Sequence, residues 1–304
     1  MSVRTPLAAQ RPSAVRIWVM AARPRTLPAA VAPVLVGTAL AATQGTFKVL
    51  TFFAALLGAL FIQVGTNLSN DYSDARRGAD TEDRLGPVRV TACGLVPPRQ
   101  VLLATYVAFA LAVLAGSYLI ATAGWELLLV GAASILAGVL YTGGPRPYGY
   151  EGLGEVFVFL FFGVVAVTGS YFAQVERLEW EALALAVPVG LLAAAILVVN
   201  NVRDLETDRR AGKRTLAVRL GRERSRTLFA AMLAVAFVTA QVPWLLGSLS
   251  PWLLLTLLAV PLAVPVIRSV RTRTDGPALN AALAATGQLQ LAFCGLLSAG
   301  ILAS

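Results

Sequence analysis

The sequence predicts an all-α polytopic membrane protein, a bundle of about nine transmembrane helices around a central cavity. Three observations predict it. The 304 residues are 57% hydrophobic and only 13% charged, with a mean hydropathy of +0.73, far more apolar than a soluble domain of this length. The apolar residues fall in stretches of roughly the 17 to 25 that a bilayer core requires. The basic residues collect in every second connection between those stretches.

A basic tail, residues 1–25, carries Arg4, Arg11, Arg16, Arg23 and Arg25. It has no compact apolar stretch ending in a small-residue cleavage site, so no removable signal peptide is expected. Thr26–Thr43 is the first predicted span and Val49–Asn70 the second. Val101–Ala121, the short Glu126–Tyr141 and Gly152–Ala173 follow. Ala182–Val202, Leu228–Leu246, Pro251–Val270 and Leu279–Ala303 complete the set, the last containing polar Gln288 and Gln290. Backbone groups in hydrocarbon must be satisfied within their own segment, so each span reads as a helix. No linker rich in Gly, Pro or Ser divides the chain, and residues 1–304 are expected to form one domain.

Charge tests the count, because an error of one helix would scramble the sides. With nine spans, 23 of the 25 Lys and Arg residues lie on one side, and only Lys48 and Arg177 lie on the other. By the positive-inside rule the basic side, with the N-terminus, faces the cytoplasm. The net charge of +9 is then a topology signal, and a nucleic-acid partner, which needs a basic face on a soluble module, is not expected. Histidine is absent, which removes His-based triads, a His general base and the common zinc sites. Cys93 and Cys294 are too isolated for a metal knuckle or a disulfide framework.

Two acid-rich runs end otherwise apolar spans on the cytoplasmic side: Asn67 to Asp83 (NLSNDYSDARRGADTED) and Asn200 to Asp208 (NNVRDLETD). Residues three or four apart share a helical face, so Asn67, Asp71 and Asp74 are expected to point one way, as are Asn200, Asp204 and Asp208. Two unit charges about 4 Å apart interact by roughly 4 kcal/mol at an effective dielectric near 20. A hard divalent cation relieves that repulsion. Magnesium suits a site of a few carboxylates completed by water and substrate phosphate, so Asn67, Asp71, Asp74, Asn200, Asp204 and Asp208 are the candidate metal ligands. The plainer reading makes these solvated loop acids paired with Arg76, Arg77 and Arg203; the repetition of the pattern, each run beginning with Asn inside an apolar span, argues against it. Arg84, Arg89, Arg146 and Lys213 are candidate diphosphate-binding cations, with Tyr148 and Tyr150 in the loop GGPRPYGYEGLGE as candidate contributors at an acceptor or cation site together with Asn200.

Along nearly its whole length the chain resembles the intramembrane aromatic prenyltransferases, the superfamily of 4-hydroxybenzoate polyprenyltransferase. The two aspartate-bearing runs carry the resemblance. The wording RPRTLPAAVAPVLVGTALA, NDYSDARRGADTEDRLGPVR and NNVRDLETDRRAGKRTLAVRLG is similar to the branch that prenylates 1,4-dihydroxy-2-naphthoate in menaquinone synthesis. The chain departs in one respect: Asn67, Asp71 and Asp74 are spaced four and three, where the superfamily usually has four and four. The resemblance implies a Mg2+-dependent enzyme of the bacterial cytoplasmic membrane with a cytoplasmic site. It would join an isoprenyl diphosphate to the naphthoate with release of diphosphate and CO2, giving demethylmenaquinol. Asp71, Asp204, Asp208 and Lys213 would be catalytic; Asn67, Arg84, Arg89, Arg146 and Lys213 would hold the diphosphate. Homogentisate or 4-hydroxybenzoate as acceptor, and an ion-coupled transporter as a different class, stay open at this point. A transporter's acids would be expected nearer the bilayer midplane.

Overall fold

The computed structural model describes residues 12–79 and 85–304. Arg4, Arg11, Asp80, Asp83 and Arg84 lie outside the described residues. Within them every regular element is helical: α1 (Ala14–Ala22), α2 (Pro28–Thr43), α3 (Val49–Arg76), α4 (Pro98–Ala123), α5 (Glu126–Leu140), α6 (Gly154–Val175), α7 (Trp180–Arg210), α8 (Leu216–Leu220), α9 (Arg222–Leu245), α10 (Pro251–Thr272) and α11 (Gly276–Leu302).

Nine crossings were the expectation. Among the described residues seven helices are long and apolar enough to cross a bilayer, and eight if α1 and α2, bent by 52° at Arg23 to Leu27, count as one. Pro28 opens α2, where its missing N–H costs nothing, and Arg23 ends α1 with a left-handed φ of 55°. The fourth predicted span, α5, has 15 residues, or roughly 23 Å at 1.5 Å per residue, short of a hydrocarbon core of about 30 Å.

The protein is an integral membrane protein. Large apolar side chains such as Leu103, Leu114, Leu128 and Leu258 are more than half exposed, a surface that lipid covers and water does not tolerate. Trp18, Trp125, Trp180 and Trp252 are exposed as well, as expected of interfacial anchors. The largest packed core joins α2, α6, α7, α9, α10 and α11 around Leu40, Tyr171, Leu192, Phe229 and Phe293. A second, smaller core gathers Ile17, Leu68, Val90, Val96 and Val101, fastening α1 and residues 90–96 to α3 and α4.

Close approach is bought with glycine at two crossings. A Cβ on Gly163 would lie 2.5 Å from the Cα of Gly190, where α6 widens over Phe159–Val165 and meets α7. A Cβ on Gly65 would lie 2.6 Å from the ring of Phe109, where α3 meets α4. The site is positioned by length: α3 has 28 residues and α7 has 31, about 42 and 46 Å. Both exceed the apolar core, so their polar C-terminal turns extend to its edge.

Candidate active site

Those two helix ends line one cavity of about 440 Å³. From α3 come Asn67, Asn70 and Asp74; from α7 come Asn200, Asn201, Asp204 and Asp208. The expected face of α3 is corrected in one place. Asp71 stands about 60° round the helix from Asp74 at 100° per residue and is not among the cavity-lining residues. It is 1% exposed, and its two carboxylate oxygens accept from the backbone N–H groups of Val90 and Thr91, each at 3.0 Å. Asn70 takes its place in the cavity wall, its Oδ1 accepting from Thr142 at 2.9 Å. The signal was present in the sequence: Asn70 to Asp74 repeats the four-residue interval of Asn200 to Asp204.

Asp74 meets three partners in the site. Its Oδ2 accepts from Arg89 at 2.8 Å, and its Oδ1 accepts from the phenol of Tyr150 at 2.5 Å. Lys213 Nζ lies 3.7 Å from Asp74, 3.9 Å from Asp208 and 4.7 Å from the centre of the Tyr150 ring. Arg89 and Lys213 are both buried, and each arrives by a local device. Arg89 is carried on the segment that Asp71 ties down. Lys213 follows Gly212, whose φ of +73° permits the left-handed turn closing α7, and its own N–H donates to Asp208 O at 2.9 Å. Arg214 N then donates to Tyr150 O at 2.8 Å, joining this turn to the loop after α5.

Asp204 is neutralised from within its own helix. Arg203, its side chain fully buried, donates from Nε and Nη2 to the two oxygens of Asp204 at 2.8 and 2.6 Å. It also donates to Asn200 and to Asn280 of α11, both at 2.8 Å. Buried carboxylates need partners of this kind. Asn67 donates to the carbonyl of Ala22 at 2.9 Å and to Thr26 at 3.1 Å, fixing the bend between α1 and α2 against α3.

An aromatic wall completes the cavity. Tyr148 stacks on Phe157 with centroids 4.0 Å apart, and Tyr141 meets Tyr148 edge-on at 5.5 Å. The Tyr148 phenol donates to Ala137 O at 2.8 Å, and burial pushes its pKa up, so it stays protonated. Arg146, expected to bind diphosphate, is exposed and not among the lining residues: on an exposed turn its guanidinium stays hydrated. Sequence reasoning passed over Asn70, Thr142, Tyr141, Asn201 and Arg23, all of which line it.

The donor set is hard oxygen in two halves, the Asp74 and Asp208 carboxylates with amide oxygens beside them, which suits magnesium better than a soft metal. Among the described residues no three acidic, Cys or His side chains gather closely enough to hold a metal alone. Such a site fits a cation that is completed by its substrate's oxygens.

Comparison with known proteins bears on the family and the fold. The model of the UbiA prenyltransferase family matches residues 30–300. The chain is 46% identical to the 1,4-dihydroxy-2-naphthoate octaprenyltransferase of Mycobacterium tuberculosis, over 94% of this chain and 96% of that one. It is 40% identical to the 1,4-dihydroxy-2-naphthoate octaprenyltransferase of Escherichia coli, over 91% and 92%. Among solved structures, a UbiA homolog from Archaeoglobus fulgidus bound to DMAPP and Mg2+ superposes with a TM-score of 0.67 at 17% identity, covering 94% of this chain and 99% of that one.

Proposed function

The chain belongs to the UbiA prenyltransferase family, and from that premise we infer that it transfers a polyprenyl group from an isoprenyl diphosphate to 1,4-dihydroxy-2-naphthoate, releasing diphosphate and CO2 and giving demethylmenaquinol for menaquinone synthesis. The observation that carries the acceptor is the 46% identity, across nearly the whole of both chains, to a relative with that name. Family membership sets the transporter reading aside.

Asp74 and Asp208, with Asn70 and Asp204 one turn further in on α3 and α7, are the residues that would hold Mg2+, and Asn67 and Asn200, expected beside them, line the same cavity about two turns in. When bound, magnesium supplies Lewis acidity to the departing diphosphate. Lys213 and Arg89 add fixed positive charge where negative charge develops as the allylic C–O bond breaks. Tyr150 orients Asp74 by its 2.5 Å hydrogen bond and backs Lys213 with its ring. Tyr148, Tyr141 and Phe157 present ring faces and edges to the allylic cation, and the apolar lining contributed by α3, α4 and α5 keeps water from it and receives the prenyl tail. The electron-rich ring of the acceptor then attacks. Asp71 serves this site at one remove, as the clamp of the Arg89 segment.

We further read the whole chain as one domain in the bacterial cytoplasmic membrane. The bent α1–α2 pair and the short α5 supply the crossings that make nine, and the N-terminus and site are cytoplasmic. The charge alternation of the sequence supports this orientation.

The test is turnover. Purified protein in nanodiscs, given Mg2+, geranylgeranyl diphosphate and 1,4-dihydroxy-2-naphthoate, is expected to form prenylated product by mass spectrometry, and a chelator to stop it. Parallel reactions with homogentisate and 4-hydroxybenzoate decide the acceptor: product from either in place of the naphthoate would keep the chemistry and overturn the branch.

A further inference from the structure

One buried carboxylate has no part in the chemistry above. Glu155 stands at the second residue of α6 and is 3% exposed. Its Oε1 accepts from Asn201 Nδ2 at 2.8 Å, while Oε2 is buried with no hydrogen-bond partner. Glu155 itself is not among the cavity-lining residues; Asn201 is. An acid kept at that depth with half its acceptor capacity unused costs stability that an apolar side chain would not. Its one bond is the reason to look for work there.

That bond is directional. A side-chain amide has a donating end and an accepting end, and here the donating end meets Glu155. Glu155 therefore engages the NH2 of Asn201, which leaves the carbonyl oxygen of this cavity-lining residue for another partner. A ligand meeting that oxygen must bring a donor. Asn201 precedes Asp208 by seven residues on α7, about 10 Å inward along the helix from the diphosphate end. Tyr141 lines the same cavity, and a Cβ on Gly154, the residue before Glu155, would stand 3.2 Å from its ring. An amide oxygen and an aromatic ring in one cavity wall, inward of the leaving group, are chemistry that recognises a hydroxyarene.

We propose that Glu155 is a positioning residue that, acting through Asn201, reads a ring hydroxyl of the aromatic acceptor. The inference rests on the prenyl-transfer reading for its substrate class and adds the residue pair that selects it. A site built to bond a hydroxyl discriminates strongly against the analogue that lacks one. Wild-type protein is thus expected to favour 1,4-dihydroxy-2-naphthoate over 2-naphthoate, and the preference is expected to depend on Glu155.

The experiment compares wild type, Glu155→Ala, Glu155→Gln, Asn201→Ala and the Glu155→Ala/Asn201→Ala double variant in nanodiscs. Two readouts are taken: steady-state constants for each substrate, and calorimetric binding of the two naphthoates without diphosphate. Glu155→Ala is expected to raise the acceptor KM and Kd about tenfold and leave the prenyl diphosphate KM within about twofold. Glu155→Gln, which keeps the volume but offers Asn201 a donor as well as an acceptor, is expected to fall between, and it carries the test if the alanine variant does not fold. Because Glu155 acts through Asn201, the double variant is expected to be no worse than Asn201→Ala alone. Additive losses, equal rises in both KM values, or an unchanged preference for the hydroxylated ligand would overturn the proposal. Calorimetry separates the two readings: altered naphthoate binding without wild-type turnover retains this inference and defeats the reaction, and turnover with unaltered binding in the variants does the reverse.

Discussion

Arg89 donates to Asp74 at 2.8 Å with the two side chains only 7% and 2% exposed, and the segment that delivers it is pinned by Asp71, three residues before Asp74 on the same helix. Neighbouring aspartates thus divide the work. Asp71 holds backbone, and Asp74 faces the cavity with Arg89, Tyr150 and Lys213 around it.

The division has a kinetic signature. Asp208→Asn, which replaces a cavity carboxylate 3.9 Å from Lys213, is expected to cut turnover about 100-fold or more with little change in thermal unfolding. Asp71→Ala leaves two buried N–H groups without partners and is expected to lose about 2 kcal/mol or more of stability, with activity falling alongside. Differential scanning fluorimetry and initial rates on the same preparations check both; an Asp71→Ala protein of normal stability would show that the clamp is wrongly assigned.

Tyr150 offers a separable pair of interactions. Tyr150→Phe removes the 2.5 Å bond to Asp74 and keeps the ring 4.7 Å from Lys213, while Tyr150→Leu removes both. The expected order of the KM for isoprenyl diphosphate is wild type, then Phe at about fivefold, the scale of one hydrogen bond, then Leu higher still. Equal values for Phe and Leu would mean that the ring contributes nothing.

Metal removal should separate chemistry from folding. Arg89 and Lys213 already neutralise Asp74 without a metal ion, so a chelator is expected to stop turnover and leave the circular dichroism spectrum and unfolding midpoint unchanged. Mg2+ together with an inert diphosphate analogue at 100 times its Kd is expected to stabilise the fold by about 2.7 kcal/mol. A large unfolding shift on chelation alone would mean that the metal is structural.

At the α6–α7 crossing, Gly163→Val puts side-chain atoms where the Gly190 backbone lies, since even a Cβ would approach Gly190 Cα to 2.5 Å. The expected loss is about 1–3 kcal/mol, read as a lowered midpoint in detergent. Wild-type stability in that variant would mean that the helices can part freely here.

Much of the site was legible because it lies on two helices with short-range periodicity. Asp204, Asp208, Asn200, Lys213, Arg89, Tyr148 and Tyr150 were all picked out by residue type and spacing, and the structure places each in the cavity wall. The misplacements were of facing. Acids at positions 71 and 74 both satisfy a helical spacing from Asn67, and nothing local says which side of α3 meets the cavity. Arg146 looked equivalent to Arg89 because both are loop cations on the same predicted side. The bend at Arg23 to Leu27 and the 15-residue α5 blurred the helix count for a similar reason: hydropathy reports what lipid tolerates, not where a helix breaks.

By itself the sequence determined that this chain lives in a bilayer, that two long helices end in acid and amide oxygens, and that those oxygens suit a hard cation and a diphosphate. These follow from composition and from a fixed 1.5 Å and 100° per residue, which are properties of a segment alone. Only the tertiary structure decided that Asp71 fastens a loop while Asp74 faces the cavity, that Arg89 folds back onto α3, and that Glu155 reaches Asn201 across 46 residues of sequence. A helix with polar groups on more than one face has no local preference between them. The choice is made by which neighbours pack against each face, and those neighbours are distant in the chain.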